Sequence, residues 1–201
     1  MIVGDSFIWL HFPKCAGVAF EAGLRGKLGH RSDIHFDERN PDNAIWHHNL
    51  AARAAYDPSF DPAGRTVFGC FRRLPSWLLS RTFFEMKRNP HLEHTREMLT
   101  SGEFYIKGGG TRTPDQVIAL FADDVHHWMR SERLEEDFRT SMAPLLPDIR
   151  DTDETLFPRR NATSKIDRNV RFYFTPAEIA RLYDAAPLWA QIEEKVYGSL
   201  L

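Results

Sequence analysis

Short apolar runs closed by turn residues alternate along this chain with large apolar side chains spaced four apart. Phe7-Ile8-Trp9-Leu10-His11-Phe12 is dense in β-favouring residues, too brief for a helix, and stops at Pro13, which cannot donate to a sheet ladder. After the loop Lys14-Cys15-Ala16-Gly17, the residues Phe20, Leu24 and Leu28 recur every four positions, on one helix face. The pattern predicts a buried strand, a tight loop and a helix. Further short strands are expected over residues 33–36, 44–48, 65–71 and 125–129.

Helices are expected over residues 49–56, from Leu74-Pro75 onward with Trp77, Leu78, Phe83 and Phe84, and after Thr113, where a capping box opens with Pro114. In that third helix Val117, Leu120 and Phe121 form the expected buried stripe. Ser131 is read as the cap of a helix that buries Leu134, Phe138 and Met142, and Thr175-Pro176-Ala177-Glu178 as the cap of one that buries Ile179, Leu182 and Tyr183. A last helix after Pro187 carries Trp189, Ile192, Val196 and Tyr197. Strands interleaved with helices predict an α/β fold.

The 201 residues, 42% hydrophobic, suffice for one core and predict a single domain spanning 1–201. Twenty-six Lys and Arg against 28 Asp and Glu leave a net charge of -2, so no global footprint for nucleic acid or an anionic membrane is expected, and any anion site is local. No apolar run reaches the roughly 20 residues of a membrane span, and the first strand starts too near Met1 for a signal peptide, so a cytoplasmic protein is expected. Cys15 and Cys70 are too few for a disulfide scaffold, and no pair is spaced for zinc. Adjacent His126 and His127 on a strand point to opposite faces, so no metal site is predicted.

The candidate chemistry starts at the first loop. A helix N-terminus offers unpaired N–H groups and a partial positive charge, Gly17 permits close approach, and Lys14 adds a mobile cation. The Walker pattern is missing, since the glycine follows the lysine and no Ser or Thr sits beside it for magnesium; this disfavours a metal-dependent ATPase or kinase. A plain turn with an exposed lysine is the alternative. Cys15 is either a nucleophile or a small loop residue. His47 and His48 are candidate general bases, the alternative being one packed and one solvated imidazole. Arg72-Arg73 follows a predicted core strand, and Ser80 lies on the next helix; an arginine fork with a hydroxyl suits a phosphate monoester. Residues 107–112 read as a lid or a connector, and 159–165 as a basic loop able to clamp an anion.

Together these stretches resemble the carbohydrate sulfotransferase superfamily, in its bacterial branch related to heparan and chondroitin sulfate sulfotransferases. His11-Phe12-Pro13-Lys14-Cys15-Ala16-Gly17 is similar to the family's opening loop, Phe71-Arg72 through Leu79-Ser80 to its second motif, and Trp46-His47-His48-Asn49-Leu50 to the segment that supplies a histidine. Thr111-Arg112, Ser131 to Glu136 and Asn161-Ala162-Thr163 recur in the family's order. The resemblance implies a three-layer, P-loop NTPase-like fold with a central parallel β-sheet flanked by helices and a helical C-terminal part. It implies binding of 3′-phosphoadenosine 5′-phosphosulfate (PAPS), with adenosine 3′,5′-bisphosphate as product. Pro13, Lys14, Cys15, Ala16, Gly17, Val18 and Ala19 would hold the phosphosulfate, Arg72 and Ser80 the 3′-phosphate, and Asn161 to Lys165 would close over the nucleotide. Lys14 and His48, or His47, would carry the transfer to a hydroxyl of a glycan or other small acceptor, with no metal. Val18 and Ala19 stand where the family usually has two hydroxyl residues, and Arg73-Leu74-Pro75 where it has Asp-Pro. A catalytically silent nucleotide-binding protein is therefore the second expectation.

Overall fold

A computed structural model of the chain describes residues 1–38, 44–106, 110–150, 154–157 and 169–201. They form two compact units: Met1–Phe71 with Asp123–Ala162, and Arg72–Ala122 with Thr163–Leu201. In chain order, the first unit opens with strand β1 (Ile2–Val3), β2 (Phe7–Leu10), helix α1 (Gly17–Leu28), β3 (His35–Phe36), α2 (Leu50–Tyr56) and β4 (Thr66–Phe71). The second contributes α3 (Leu74–Arg88), α4 (Arg96–Ser101), β5 (Phe104–Tyr105), β6 (Thr111–Arg112) and α5 (Pro114–Ile118). The chain returns to the first unit for β7 (His127–Arg130), α6 (Leu134–Ser141) and α7 (Pro147–Arg150), and ends in the second with α8 (Pro176–Ala185) and α9 (Pro187–Tyr197).

The sheet of the first unit is mixed, in the order β3-β1-β2-β4-β7. Its centre is parallel: Leu10 of β2 pairs with Gly69 of β4, and Phe68 of β4 with His127 of β7. The expected central parallel sheet is found at β2, β4 and β7, and the sheet as a whole is mixed, since β1 runs antiparallel to both β2 and β3. All four residues of β2 are buried, as a central strand requires. It ends at Leu10, two residues before the expected end, because the Phe12 amide turns back to the Leu10 carbonyl at 3.0 Å. Gly69 lies under Trp128, whose ring a β-carbon would meet at 2.7 Å, so the strand can carry no side chain there.

Helix α1 buries Phe20, Leu24 and Leu28, and Phe20 stacks on Trp9 at 4.6 Å and on Phe157 at 5.0 Å. Residues 44–48 are not a strand: Ile45–His47 form a 3₁₀ turn, followed by α2 with Asn49 as its cap. Ser131 opens a 3₁₀ turn rather than capping α6, although Leu134, Phe138 and Met142 are buried as expected. Asp137 of α6 accepts from the Arg130 amide at 2.6 Å and holds the Arg130 guanidinium, tying β7 to the helix that follows it.

In the second unit the capping boxes at Thr113 and Thr175 both form. Helix α5 stops at Ile118, so the expected stripe shifts: Ile118 and Phe121 are buried, while Leu120 is 48% exposed. In α9 Trp189 is buried, but the second fully buried residue is Glu193, and Ile192, Val196 and Tyr197 are half-buried. Among the described residues no helix is long and apolar enough to cross a membrane.

Candidate functional site

The loop between β2 and α1 is held in a conformation that its residues do not favour. Lys14 has φ 66° and Ala16 φ 62°, the left-handed region, with Cys15 between them at negative φ. For a residue with a β-carbon this costs about 1–2 kcal/mol. Such strain persists where the surrounding structure imposes it, and alternating left-handed and ordinary residues turn successive N–H groups to one side, forming an anion-binding concavity. Ala16 is the N-cap of α1 and offers no side-chain cap; the Ala19 amide turns back to the Ala16 carbonyl at 2.9 Å, and a helix start of this kind presents its remaining first-turn amides to a ligand or to water. Lys14 and Val18 are half-buried on this loop; Cys15 is fully buried and Ala19 nearly so. Cys15 is thereby placed as a packed loop residue rather than an accessible nucleophile.

His11 supports the loop from below. His11 is 5% exposed and its imidazole packs closely against Gly17, where a β-carbon would come 2.1 Å from Nε2. Trp9 and His47 flank the ring at centroid distances of 5.2 and 4.5 Å, and Glu21 of α1 brings a carboxylate oxygen to 4.0 Å from Nδ1. Sequence reasoning singled out Gly17 and placed His11 at the end of the first strand and the head of the opening loop, but gave His11 no role of its own. The available signal was a single titratable residue inside an apolar run, which must find partners when buried.

The two candidate bases are placed differently. His47 sets Nδ1 2.9 Å from the His11 carbonyl oxygen. A carbonyl only accepts, so Nδ1 carries the hydrogen and the neutral ring keeps its lone pair on Nε2. His48 packs edge-on against Tyr56 at 5.6 Å, and its pKa is lowered by burial and by the nearby positive charge of Arg53. The segment is fixed at its carbonyls: the Met1 amine donates to Trp46 at 2.9 Å, and Arg53 donates to Ile45 at 3.3 Å. Downstream, the Leu50 amide donates to Asp124 at 2.9 Å. Arg53 also pairs with Asp37, and both are buried; Asp37 further accepts from the Met1 amine at 2.8 Å.

In the second unit, Arg72 lies two residues before the start of α3, next to its N-cap Arg73, and Ser80 lies nearly two turns along that helix; both are half-buried. Arg73, its neighbour, is committed to structure. Its guanidinium donates to Glu193 at 3.0 Å and to the Ser199 carbonyl at 2.9 Å, and lies 4.3 Å from the centre of the Tyr197 ring. Glu193 also accepts from the Leu74 amide at 2.7 Å and from the Tyr183 hydroxyl at 2.7 Å, while burial raises its pKa. The Arg72 carbonyl accepts from the Trp189 indole at 3.2 Å. None of these α9 partners was visible from sequence spacing.

Asn161 and Lys165 lie outside the described residues, as do residues 107–109 of the glycine-rich segment and the basic loop 159–165. Among the described residues no group of three or more His, Cys, Asp and Glu side chains is placed to hold a metal ion. Compared with models of known protein families, with curated proteins and with solved structures, the chain matches none.

Proposed function

We propose that this chain is a sulfotransferase that moves a sulfuryl group from PAPS to a hydroxyl of a carbohydrate or other small acceptor. The observation that carries the reading is the left-handed backbone at Lys14 and Ala16 on an uncapped helix N-terminus. Left-handed backbone at two non-glycine residues, in a loop that carries a lysine and leads into a helix start, supports an anion-binding loop. The three-layer, P-loop-like arrangement belongs to the same proposal.

In this reading the loop amides and Lys14 hold the phosphosulfate. As the acceptor oxygen bonds to sulfur, the bond from sulfur to the bridging 5′-phosphate oxygen breaks; the electron pair leaves with the bisphosphate, and Lys14 offsets that charge. The acceptor proton goes to a histidine. His47 suits that role better than His48, because its hydrogen bond to the His11 carbonyl leaves Nε2 as the basic atom on a fixed ring. Arg72 and Ser80 hold the 3′-phosphate, which selects PAPS over ATP. Arg72 takes this task as the residue that matches the resembled motif at the spacing to Ser80, while Glu193, Ser199 and Tyr197 engage the Arg73 guanidinium.

A second reading, a nucleotide-binding protein without transfer, is favoured by Val18 and Ala19. Their side chains offer no hydroxyl on the first turn of α1, and a lost donor to a charged group is worth about 1.5–3 kcal/mol.

Thermal unfolding with adenosine 3′,5′-bisphosphate, beside ADP, tests the shared premise. Ligand at about a hundred times its dissociation constant stabilises the chain by about 2.7 kcal/mol, so a clear shift with the bisphosphate and little with ADP is expected. No shift with either removes both readings. Sulfate transfer that is lost in Lys14→Ala while bisphosphate binding survives selects the enzyme; binding without transfer across a broad acceptor panel selects the silent protein.

A further inference from the structure

The chain that leaves β4 at Phe71 is gripped residue by residue by one helix. Trp189 of α9 donates its indole N–H to the Arg72 carbonyl at 3.2 Å. One turn further along α9, Glu193 takes the Arg73 guanidinium on Oε1 and the Leu74 amide on Oε2, at 3.0 and 2.7 Å. The spacing of four residues puts both side chains on the same helix face. Glu193 is wholly buried, and Tyr183 of α8 donates to it at 2.7 Å. Helix α9 is itself anchored: Asp115 of α5 accepts from the Leu188 and Trp189 amides, each at 2.9 Å.

We infer that Trp189 and Glu193 are positioning residues for the 3′-phosphate, setting the backbone on which Arg72 stands; the inference rests on the nucleotide reading given above. A buried carboxylate is costly unless its partners are in place. Here the partners are a backbone amide at the start of α3, the arginine beside Arg72, and a tyrosine hydroxyl. Together they fix three consecutive residues, 72–74, so the Arg72 side chain leaves from a defined point. By linkage, a ligand that Arg72 holds must in turn tighten α9.

Two measurements on the intact chain test this. In Glu193→Gln, which keeps the shape and removes the charge, and in the milder Tyr183→Phe, which removes one donor to the carboxylate, the Kd for adenosine 3′,5′-bisphosphate is measured well below each variant's melting temperature. It is expected to rise roughly tenfold in Glu193→Gln and less in Tyr183→Phe. Hydrogen exchange of the wild-type chain is expected to slow across α9 when the bisphosphate binds and to stay unchanged with ADP. A purely structural role would lower melting temperature while leaving both the Kd and the ligand-induced protection untouched, and that result overturns the inference. Failure of the wild-type chain to bind the bisphosphate overturns the nucleotide reading and this inference with it, whereas wild-type binding with unaltered variants overturns this inference alone.

Discussion

The His11 imidazole occupies the space that a side chain at Gly17 would need, its Nε2 lying 2.1 Å from the position of a β-carbon there. The ring is buried, with the Trp9 and His47 rings 5.2 and 4.5 Å from it, which limits its room to retreat. Gly17→Ala is therefore expected to lose about 1–3 kcal/mol or more through overpacking. At this chain length each kcal/mol corresponds to a fall of about 2–4 °C in melting temperature. Adding His11→Ala to Gly17→Ala should restore part of the loss; if the double variant is no better than the single, the contact is not what excludes a side chain.

Ala16 holds φ 62° without glycine's freedom. Ala16→Gly should relieve about 1 kcal/mol of that strain and raise stability, against the usual direction of an alanine-to-glycine change. Urea denaturation of the variant checks this. A destabilised Ala16→Gly would mean that the left-handed turn is not strained in the folded chain.

Asp37 and Arg53 form a buried ion pair, with 2% and 6% of their surfaces exposed. Removing one partner leaves the other's charge buried with fewer partners, Asp37 keeping the Met1 amine and Arg53 the Ile45 carbonyl, so Arg53→Met or Asp37→Asn alone is expected to cost up to about 3–5 kcal/mol, and the double variant well under the sum. The cycle is read from denaturation midpoints. Strict additivity would show that the pair is not coupled.

Burial and Arg53 lower the His48 pKa below its ordinary value of 6.5. The folded chain then binds fewer protons at this ring than the unfolded chain, so its contribution to stability is intact above pH 6.5 and is lost as pH falls through the lowered value. His48→Gln should flatten the fall in melting temperature on that acid side. A variant whose profile has the same slope as wild type would place the acid sensitivity elsewhere.

What could be read from the sequence is what local chemistry decides. Pro13 and the spacing of Phe20, Leu24 and Leu28 located the β2–loop–α1 unit, and Thr113 and Thr175 marked helix starts by side chains that reach only three residues. Strand β1 escaped notice because two residues, Ile2 and Val3, hold no period. Residues 45–47 have a strand-like composition, yet their carbonyls are taken by the Met1 amine and by Arg53, partners that no local window contains. The site shows the same division. Lys14, Gly17, Arg72 and the histidine pair were visible as residue types, whereas the left-handed turn lacks the glycines that usually announce one. Glu193 carried no sequence signal, because its donors Arg73 and Leu74 lie 120 and 119 positions earlier in the chain.

One consequence of the bond between Asp137 and the Arg130 amide reaches beyond the chain itself. Among the described residues strand β7 is a border of the sheet, the place where unsatisfied main-chain donors invite an incoming strand from another copy. The carboxylate occupies one of those donors, and its grip on the Arg130 guanidinium sets a charged, hydrated group beside it. At the opposite border β3 is only two residues long. Short border strands and charged groups beside border donors are features that disfavour edge-to-edge pairing between copies.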